Sequence, residues 1–427
     1  MLYSANWPAI KGNAVSYACA LLMFALPYSI RLTSLATILL LIALIIDSKV
    51  EYLKLNLKKA SLLLGGLVLL YLMTGFSLLY TENLNQGFFE MEKGITLIVF
   101  PVFFSLIHRI TKEELHMILW SFVFSNLSLG LICIVYASYK YFFYQINIYF
   151  YHDLVGIFNS HATYYSVYLI FSILILIFLY REGAIRWKPK FTIWVIGVFF
   201  TVLIYLLGAR STVILFTLAV PLSIFYFIIK SGRFLVGGVI AISFFIIMFT
   251  VVNNNPHLKE RIIQLKDYKY ELSKNHVEGY NGLTTRLAQW ESSIEIIRRA
   301  PIIGVGVGDV QDQLQEVYIK NYLKYSYMEK FNAHNEFIQT LLGLGFIGLV
   351  IFLFSLVSPL YFSFKHGHSL HVCFILLFAY CCLTESMLHV QKGIVFLALF
   401  SSIFFNYFFT DNEKPNLSEI SNAKLNI

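Results

Sequence analysis

The chain has 427 residues, of which 58% are hydrophobic and only 13% charged, about half the charged share of an ordinary globular chain. That balance excludes a soluble globular domain. The formal net charge of +8 needs no nucleic-acid partner, because the basic residues gather in alternate loops between apolar blocks and membrane topology accounts for them.

The apolar blocks run for roughly 17 to 22 residues, the length that carries a helix across a hydrocarbon core about 30 Å thick. Period-2 alternation is weak, which argues against a barrel. The expected fold class is therefore all-α, a polytopic transmembrane bundle of about twelve spans in a lipid bilayer. The first block, near 14–30, has one basic residue ahead of it (Lys11), no small-residue cleavage site, and a second span at once behind it. It reads as a retained helix, not a cleaved signal peptide. Further spans are expected near 32–47, 60–80, 94–108, 115–139, 161–180, 191–207, 211–229, 234–252, 334–357, 370–388 and 392–409. All five cysteines fall inside apolar blocks, where sulfur behaves as a small hydrophobe and implies no disulfide or metal framework.

Orientation follows from the loops. One alternating set holds Lys49, Lys54, Lys58, Lys59, Arg109, Lys112, Arg181, Arg186, Lys188, Lys190, Lys230, Arg233 and Lys365; the other holds Arg31, Lys93, Lys140, Arg210 and Lys392. Cytoplasmic loops retain the positive charge, so both termini are expected in the cytoplasm. The chain then divides into transmembrane helices one to nine (1–252), a long hydrophilic loop on the non-cytoplasmic side (253–333), helices ten to twelve (334–409) and a cytoplasmic tail (410–427).

Within the loop, "TTRLAQWESSIEIIRRAP" reads as one helix. Thr284 or Thr285 is expected to cap it, Leu287, Trp290, Ile294 and Ile297 to form its apolar stripe, and Arg298 and Arg299 to suit its C-terminal dipole before Pro301 ends it. "GVGVGD" follows as a flexible turn. A second outer loop, "KYFFYQINIYFYHD", is crowded with rings and reads mainly as an interfacial aromatic belt.

The residues that can carry chemistry gather on the outer side. His334, in "FNAHNEF", stands before the tenth span, where an imidazole can accept a proton near neutral pH; the bland alternative is a histidine that only caps the helix. Asn335 and Glu336 extend that polar patch in a supporting role, Glu336 also fitting the simple preference for an acid in a first helical turn. Arg210, in "LLGARSTVILF", sits between two apolar runs on the side where the charge rule disfavours it, which marks it as functional unless it merely snorkels. Arg286 lies in the first turn of the loop helix, an unfavourable place for a cation unless an anion is bound there, and a helix N-terminus with a guanidinium is what a phosphate needs. His161 opens another outward-facing span and is a further supporting residue. "GLGFIG" fits a dinucleotide-loop pattern but lies inside a span with no strand before it, so its glycines are read as allowing close helix packing. "NLS" at Asn126 is buried in a span and is no glycosylation acceptor.

In order, spacing and shared membrane side, these motifs resemble the bacterial O-antigen ligase and O-antigen polymerase superfamily of membrane glycosyltransferases. The resemblance covers most of the chain: about twelve spans, a large periplasmic loop between the ninth and tenth, "GARST" opening the eighth, "TTRLAQWESSIEIIRRAPIIGVGVGD" in the loop and "AHNEFIQTLLGLGFIG" entering the tenth. It implies that Arg210, Arg286 and His334 are essential. It also implies transfer of a glycan from undecaprenyl diphosphate to an acceptor hydroxyl at the periplasmic face of the bacterial inner membrane, with inversion and without metal, nucleotide sugar or other cofactor. Residue chemistry agrees: Arg210 and Arg286 suit a clamp on the leaving diphosphate, and His334 suits a base or positioning group for the acceptor. The single dominant outer loop favours a ligase acting on lipid A-core over a polymerase acting on a glycan or an O-oligosaccharyltransferase acting on protein. A transporter or flippase is the alternative from another class; it would place ionisable residues mid-membrane on broken helices.

Overall fold

A computed structural model describes residues 13–183, 191–231, 234–254 and 282–410. Lys11, Arg186, Lys188, Lys190, Arg233, the 255–281 part of the loop and the tail beyond 410 lie outside the described residues. Among the described residues the chain is helical, without strands. The first run comprises α1 (Ala14–Ala25), α2 (Ile30–Asp47), α3 (Val50–Leu63), α4 (Gly65–Ser77), α5 (Leu84–Gly94), α6 (Thr96–Phe104), α7 (Lys112–Tyr144), α8 (Tyr151–Val155) and α9 (Ala162–Arg181). Next come α10 (Phe191–Leu207), α11 (Arg210–Ser231) and α12 (Phe234–Asn254). The hydrophilic loop supplies α13 (Gly282–Ile297), α14 (Val310–Lys320) and α15 (Lys324–Met328), and α16 (Glu336–Lys365), α17 (Ser369–Cys382) and α18 (Gln391–Phe409) follow.

Five of these, α2, α7, α9, α16 and α18, are long and apolar enough to cross a bilayer. The pair α3 and α4 also qualifies taken together, but it is bent by 73°. Helices α1, α10 and α17, the Arg210–Pro221 part of α11 and the Phe234–Thr250 part of α12 are apolar and shorter. Each expected block therefore holds a helix, although block and helix differ in length. The block at 60–80 breaks at Leu64, that at 94–108 carries only the nine residues of α6, and that at 115–139 extends into a helix of 33 residues. At the α3–α4 break, Gly66 lies so close to the Ser355 backbone of α16 that a Cβ there would overlap it, so the bend brings two helix backbones into contact in the manner of small-residue packing.

Helix α18 forms the core, buried from Lys392 to Asn406. Phe396, Phe400 and Phe404 on it meet Phe122 of α7, Phe171 of α9 and Phe374 of α17, with ring centroids 4.8 Å apart for Phe171–Phe400 and 5.2 Å for Phe122–Phe400. Edge-to-face pairs of this kind add about 0.5–1.5 kcal/mol beyond area burial. Peripheral helices turn Ile38, Ile42 and Ile46 (α2) and Leu235 and Val239 (α12) outward, as lipid-facing surfaces require. Asn126 is buried, its Nδ2 donating to Phe122 O and to the Ser172 hydroxyl.

Gly345 departs from helical geometry inside α16, with φ +64°. The carbonyls freed by that break, Leu342 and Gly343, accept from Val305 N (2.8 Å) and Gly306 N (3.0 Å). The freed amides, Phe346 and Ile347, donate to Pro301 O (2.9 Å) and Ile302 O (3.2 Å). The "GLGFIG" glycines thus serve a close approach by a loop strand, where the sequence suggested one by a helix: a Cβ on Gly304 would overlap Gly343, and one on Gly345 would overlap Ile302. This break is closed by main chain and leaves its polar groups paired, unlike the ion-coordinating breaks of a transporter.

Among the described residues, members of the two sets of basic loop residues fall at opposite ends of the bundle. Lys49 N bonds to Leu106 O, Arg109 to Tyr407 O and Lys112 to Glu182, all at one end. Lys93 bonds to His389 O at the other, where Lys392 donates to Pro27 O, Tyr28 O and the Ser160 hydroxyl.

Candidate functional site

Between α17 and α18 the chain makes a short turn, and Glu385 lies in it, 5% exposed. One carboxylate oxygen accepts from Arg286 Nη2 at 2.8 Å. The other meets His334 Nδ1 at 3.0 Å. Burial pushes the Glu385 carboxyl up, but the His334 hydrogen bond and the neighbouring Arg286, His334 and His161 charges outweigh it and hold the group below its ordinary range. An ionised carboxylate only accepts hydrogen bonds. His334 Nδ1 therefore carries the proton, and Nε2 is the basic nitrogen; it has no hydrogen-bond partner among the described residues.

The sequence around His334 fixes that geometry residue by residue. Asn335 caps α16 by accepting from Ile338 N at 3.1 Å, and its amide donates to Leu383 O at 3.1 Å. Glu336, buried, accepts from Leu388 N at 2.7 Å and from the Thr340 hydroxyl at 3.1 Å. The triplet His334, Asn335 and Glu336 is thus bonded, member by member, to Glu385, Leu383 and Leu388 of a single turn. His334 itself has φ +43°, a left-handed conformation that costs an L residue about 1–2 kcal/mol. Its amide donates to Asn332 Oδ1 at 2.9 Å, which also accepts from the Ser386 hydroxyl at 3.2 Å, so the same turn that receives the side chain also holds the backbone.

Arg286 reaches the site from α13. The helix begins at Gly282, so Thr284 and Thr285 lie in its first turn and do not cap it. Its buried face is Ala288, Gln289, Ser292, Ser293 and Ile296, whereas Ile294 is 44% exposed. The expected stripe of Leu287, Trp290, Ile294 and Ile297 is displaced because small residues let α13 approach its neighbours, with the Ser292 and Ser293 hydroxyls satisfied by Ala288 O and Gln289 O. Trp290 Nε1 donates to Ala333 O at 2.9 Å, tying the helix to the residue before His334.

His161 caps α9, accepting from Thr163 N at 3.3 Å, and meets the ring of His152 edge to face with centroids 4.3 Å apart. By area it is exposed, yet it sits in a deep recess. The recess lowers its pKa first, and the Arg286 and His334 charges act in the same direction against Glu385. Next to it the Tyr164 hydroxyl reaches Ser386 O at 3.4 Å. Arg210 is the first residue of α11, half-buried, after the tight Gly208 turn (φ +55°). The neighbouring Ser211 carbonyl accepts from the Tyr380 hydroxyl at 2.9 Å, which docks the start of α11 on the end of α17, close in sequence to Glu385. The two groups on the Glu385 carboxylate are Arg286 and His334; Arg210 is not one of them. Among the described residues no group of three or more His, Cys, Asp or Glu is arranged to hold a metal ion.

Sequence reasoning missed Glu385. Its signal was an acid in "CCLTESMLHVQ", between two apolar blocks on the side where His334 and Arg286 were expected. No curated protein matches the chain. Residues 195–353, the stretch that carries Arg210, Arg286 and His334, match the family model described as O-antigen ligase. That match supports membership of the O-antigen ligase and polymerase superfamily.

Proposed function

We propose that the protein is a ligase-type glycosyltransferase that moves a glycan from undecaprenyl diphosphate to an acceptor hydroxyl at the periplasmic face of the bacterial inner membrane. Membership of the superfamily implies glycosyltransferase-type activity on lipid-linked glycans. The observation that carries the finer reading is Glu385 holding Arg286 and His334 on its two oxygens, with His334 Nε2 left unengaged. In the reaction His334 Nε2 takes the proton of the acceptor hydroxyl as its oxygen bonds to C1 of the donor sugar, and Glu385 stabilises the imidazolium that forms. The bond from C1 to the diphosphate oxygen breaks through an oxocarbenium-like state, and the electron pair leaves with undecaprenyl diphosphate. A single displacement inverts C1.

Arg286 spends one of its five N–H donors on Glu385. The rest of its guanidinium, together with Arg210, receives the developing charge of the leaving diphosphate, where fixed cations act more strongly than water. Asn335 and Glu336 hold the His334 backbone to the 383–388 turn, and His161 lines the same recess. We place this site on the non-cytoplasmic side of about twelve spans, with residues 253–333 as a periplasmic loop and both termini cytoplasmic, because the bundle end opposite the site carries most of the basic loop residues. No metal enters the reaction as proposed. The acceptor is lipid A-core on this reading; a growing glycan or a protein hydroxyl would use the same groups.

Reconstitution with a polyprenyl-diphosphate-linked glycan and each acceptor in turn tests the proposal. Transfer to lipid A-core, surviving chelator and lost in His334→Ala, is the expected result. Undiminished transfer by His334→Ala would remove the imidazole from the mechanism.

A further inference from the structure

On the far side of the Met387–His389 turn from Glu385 lies a cleft of about 100 Å³, enclosed by α4, α5, the start of α14 and the first turns of α16. Tyr71, Gln86, Glu90, Gln311, Glu336 and Gln339 line it. Its charged groups are mutually arranged: Glu90 holds Lys93 at 2.6 Å and accepts from Gln86 Nε2 at 2.8 Å, and Lys93 also donates to His389 O at 3.1 Å. Both oxygens of Glu336 are taken, by Leu388 N and the Thr340 hydroxyl. Gln311 differs. Its Nε2 is buried and has no hydrogen-bond partner among the described residues, and a buried donor left unpaired is destabilising until an acceptor oxygen reaches it.

The lining selects its ligand by chemistry. No arginine lines the cleft, and the neighbouring Lys93 is engaged by Glu90, so no cation is left there to hold a diphosphate. Primary amides, a carboxylate and the flat face of one tyrosine suit a neutral ring bearing several hydroxyls, each of which can donate to Glu90 or Gln339 or accept from Gln311. The position matters as much. A single turn presents Glu385 to His334 on one side and Leu388 and His389 to the cleft on the other, so a ring held there is one turn away from the His334 imidazole.

We propose that this cleft is a saccharide subsite, seating a sugar ring of the donor or of the acceptor across the Met387–His389 turn from His334; the assignment to substrate rests on the glycosyl-transfer reading above. Binding of glucose, galactose and N-acetylglucosamine to the full-length protein in lipid nanodiscs, followed by saturation-transfer NMR, tests it without turnover. At least one sugar should bind both wild type and His334→Ala, and Gln311→Leu should weaken that binding about tenfold, the scale of one lost hydrogen bond. Glu90→Gln is the second variant, used alongside with melting temperature as the check on folding. In the transfer assay, a raised KM for the acceptor alone assigns the ring to the acceptor, and a raised KM for the donor alone assigns it to the donor. Gln311-dependent sugar binding in a protein that transfers nothing would leave the subsite standing and remove the transfer reading. No sugar bound by wild type, or equal binding by wild type and both folded variants, overturns the subsite.

Discussion

Both ends of the bundle bury polar side chains, but they use them differently. At the end where α6 meets α7, the polar groups answer to main chain. Asn406 accepts from Ile110 N at 2.7 Å and donates to Phe104 O and His108 O at 3.0 and 3.2 Å. Thr111 and Glu114 form a capping box that also receives Asn13 N, and Arg109 donates to Tyr407 O at 2.8 Å. These side chains close helix termini, whose backbone groups have no partners of their own. At the other end Lys392 and Lys93 also answer to main chain, but one cluster of ionisable groups answers to itself: Arg286 and His334 share Glu385, with part of a guanidinium and an imidazole nitrogen left for something else. A buried polar cluster is a cap when its partners are backbone, and a candidate site when its partners are other reactive side chains and its valence is incomplete.

That contrast can be broken by substitution. His334→Ala should have the largest effect, a loss of about 10²–10⁴ in kcat, the usual worth of a general base, with melting temperature close to wild type. Glu385→Gln should lower kcat by a comparable or smaller factor because the amide no longer dictates the Nδ1–H tautomer; a matching loss of KM selectivity without any kcat change would show that Glu385 only shapes the pocket. Asn406→Ala at the opposite end should do the reverse, destabilising the protein by about 1–3 kcal/mol through the unpaired Ile110 amide while kcat per folded molecule stays unchanged. If Asn406→Ala silences a folded enzyme, the separation of the two ends fails.

Acid gives a smaller effect with a defined sign. His161 and Glu385 are both held below their ordinary values of 6.5 and 4.5. Each of these two groups therefore binds fewer protons in the folded protein than in the unfolded chain, so its own contribution to stability is full above 6.5 for His161 and above 4.5 for Glu385 and declines as pH falls below those values. Melting temperatures of wild type and variants compared from about pH 8 to 3 isolate these contributions. His161→Asn, which keeps an N-cap oxygen, should gain on wild type as pH falls below 6.5, and Glu385→Gln as pH falls below 4.5.

The sequence made the periodic and local features legible. Apolar runs located the helices, the Thr284–Pro301 stretch located α13 to within two residues at its start, and the polar triplet at 334–336 located the mouth of α16. What it hid depends on distant pairings. Glu385 has meaning only because the α17–α18 turn folds back on a residue 51 positions earlier. Hydropathy passes through Gly345 and Leu64 without a change, so neither the break in α16 nor the 73° bend between α3 and α4 left a trace. The buried face of α13 was misread because serine and alanine, chosen for close approach, score as less apolar than the exposed Ile294.

The main-chain seam between residues 301–306 and 342–347 has a mechanical consequence. A stretch that lends its amides and carbonyls to the interior of a membrane helix cannot swing away as a detachable lid, since doing so would break four backbone hydrogen bonds at once. The 301–306 stretch is therefore anchored to α16 and forms a fixed part of the wall on that side.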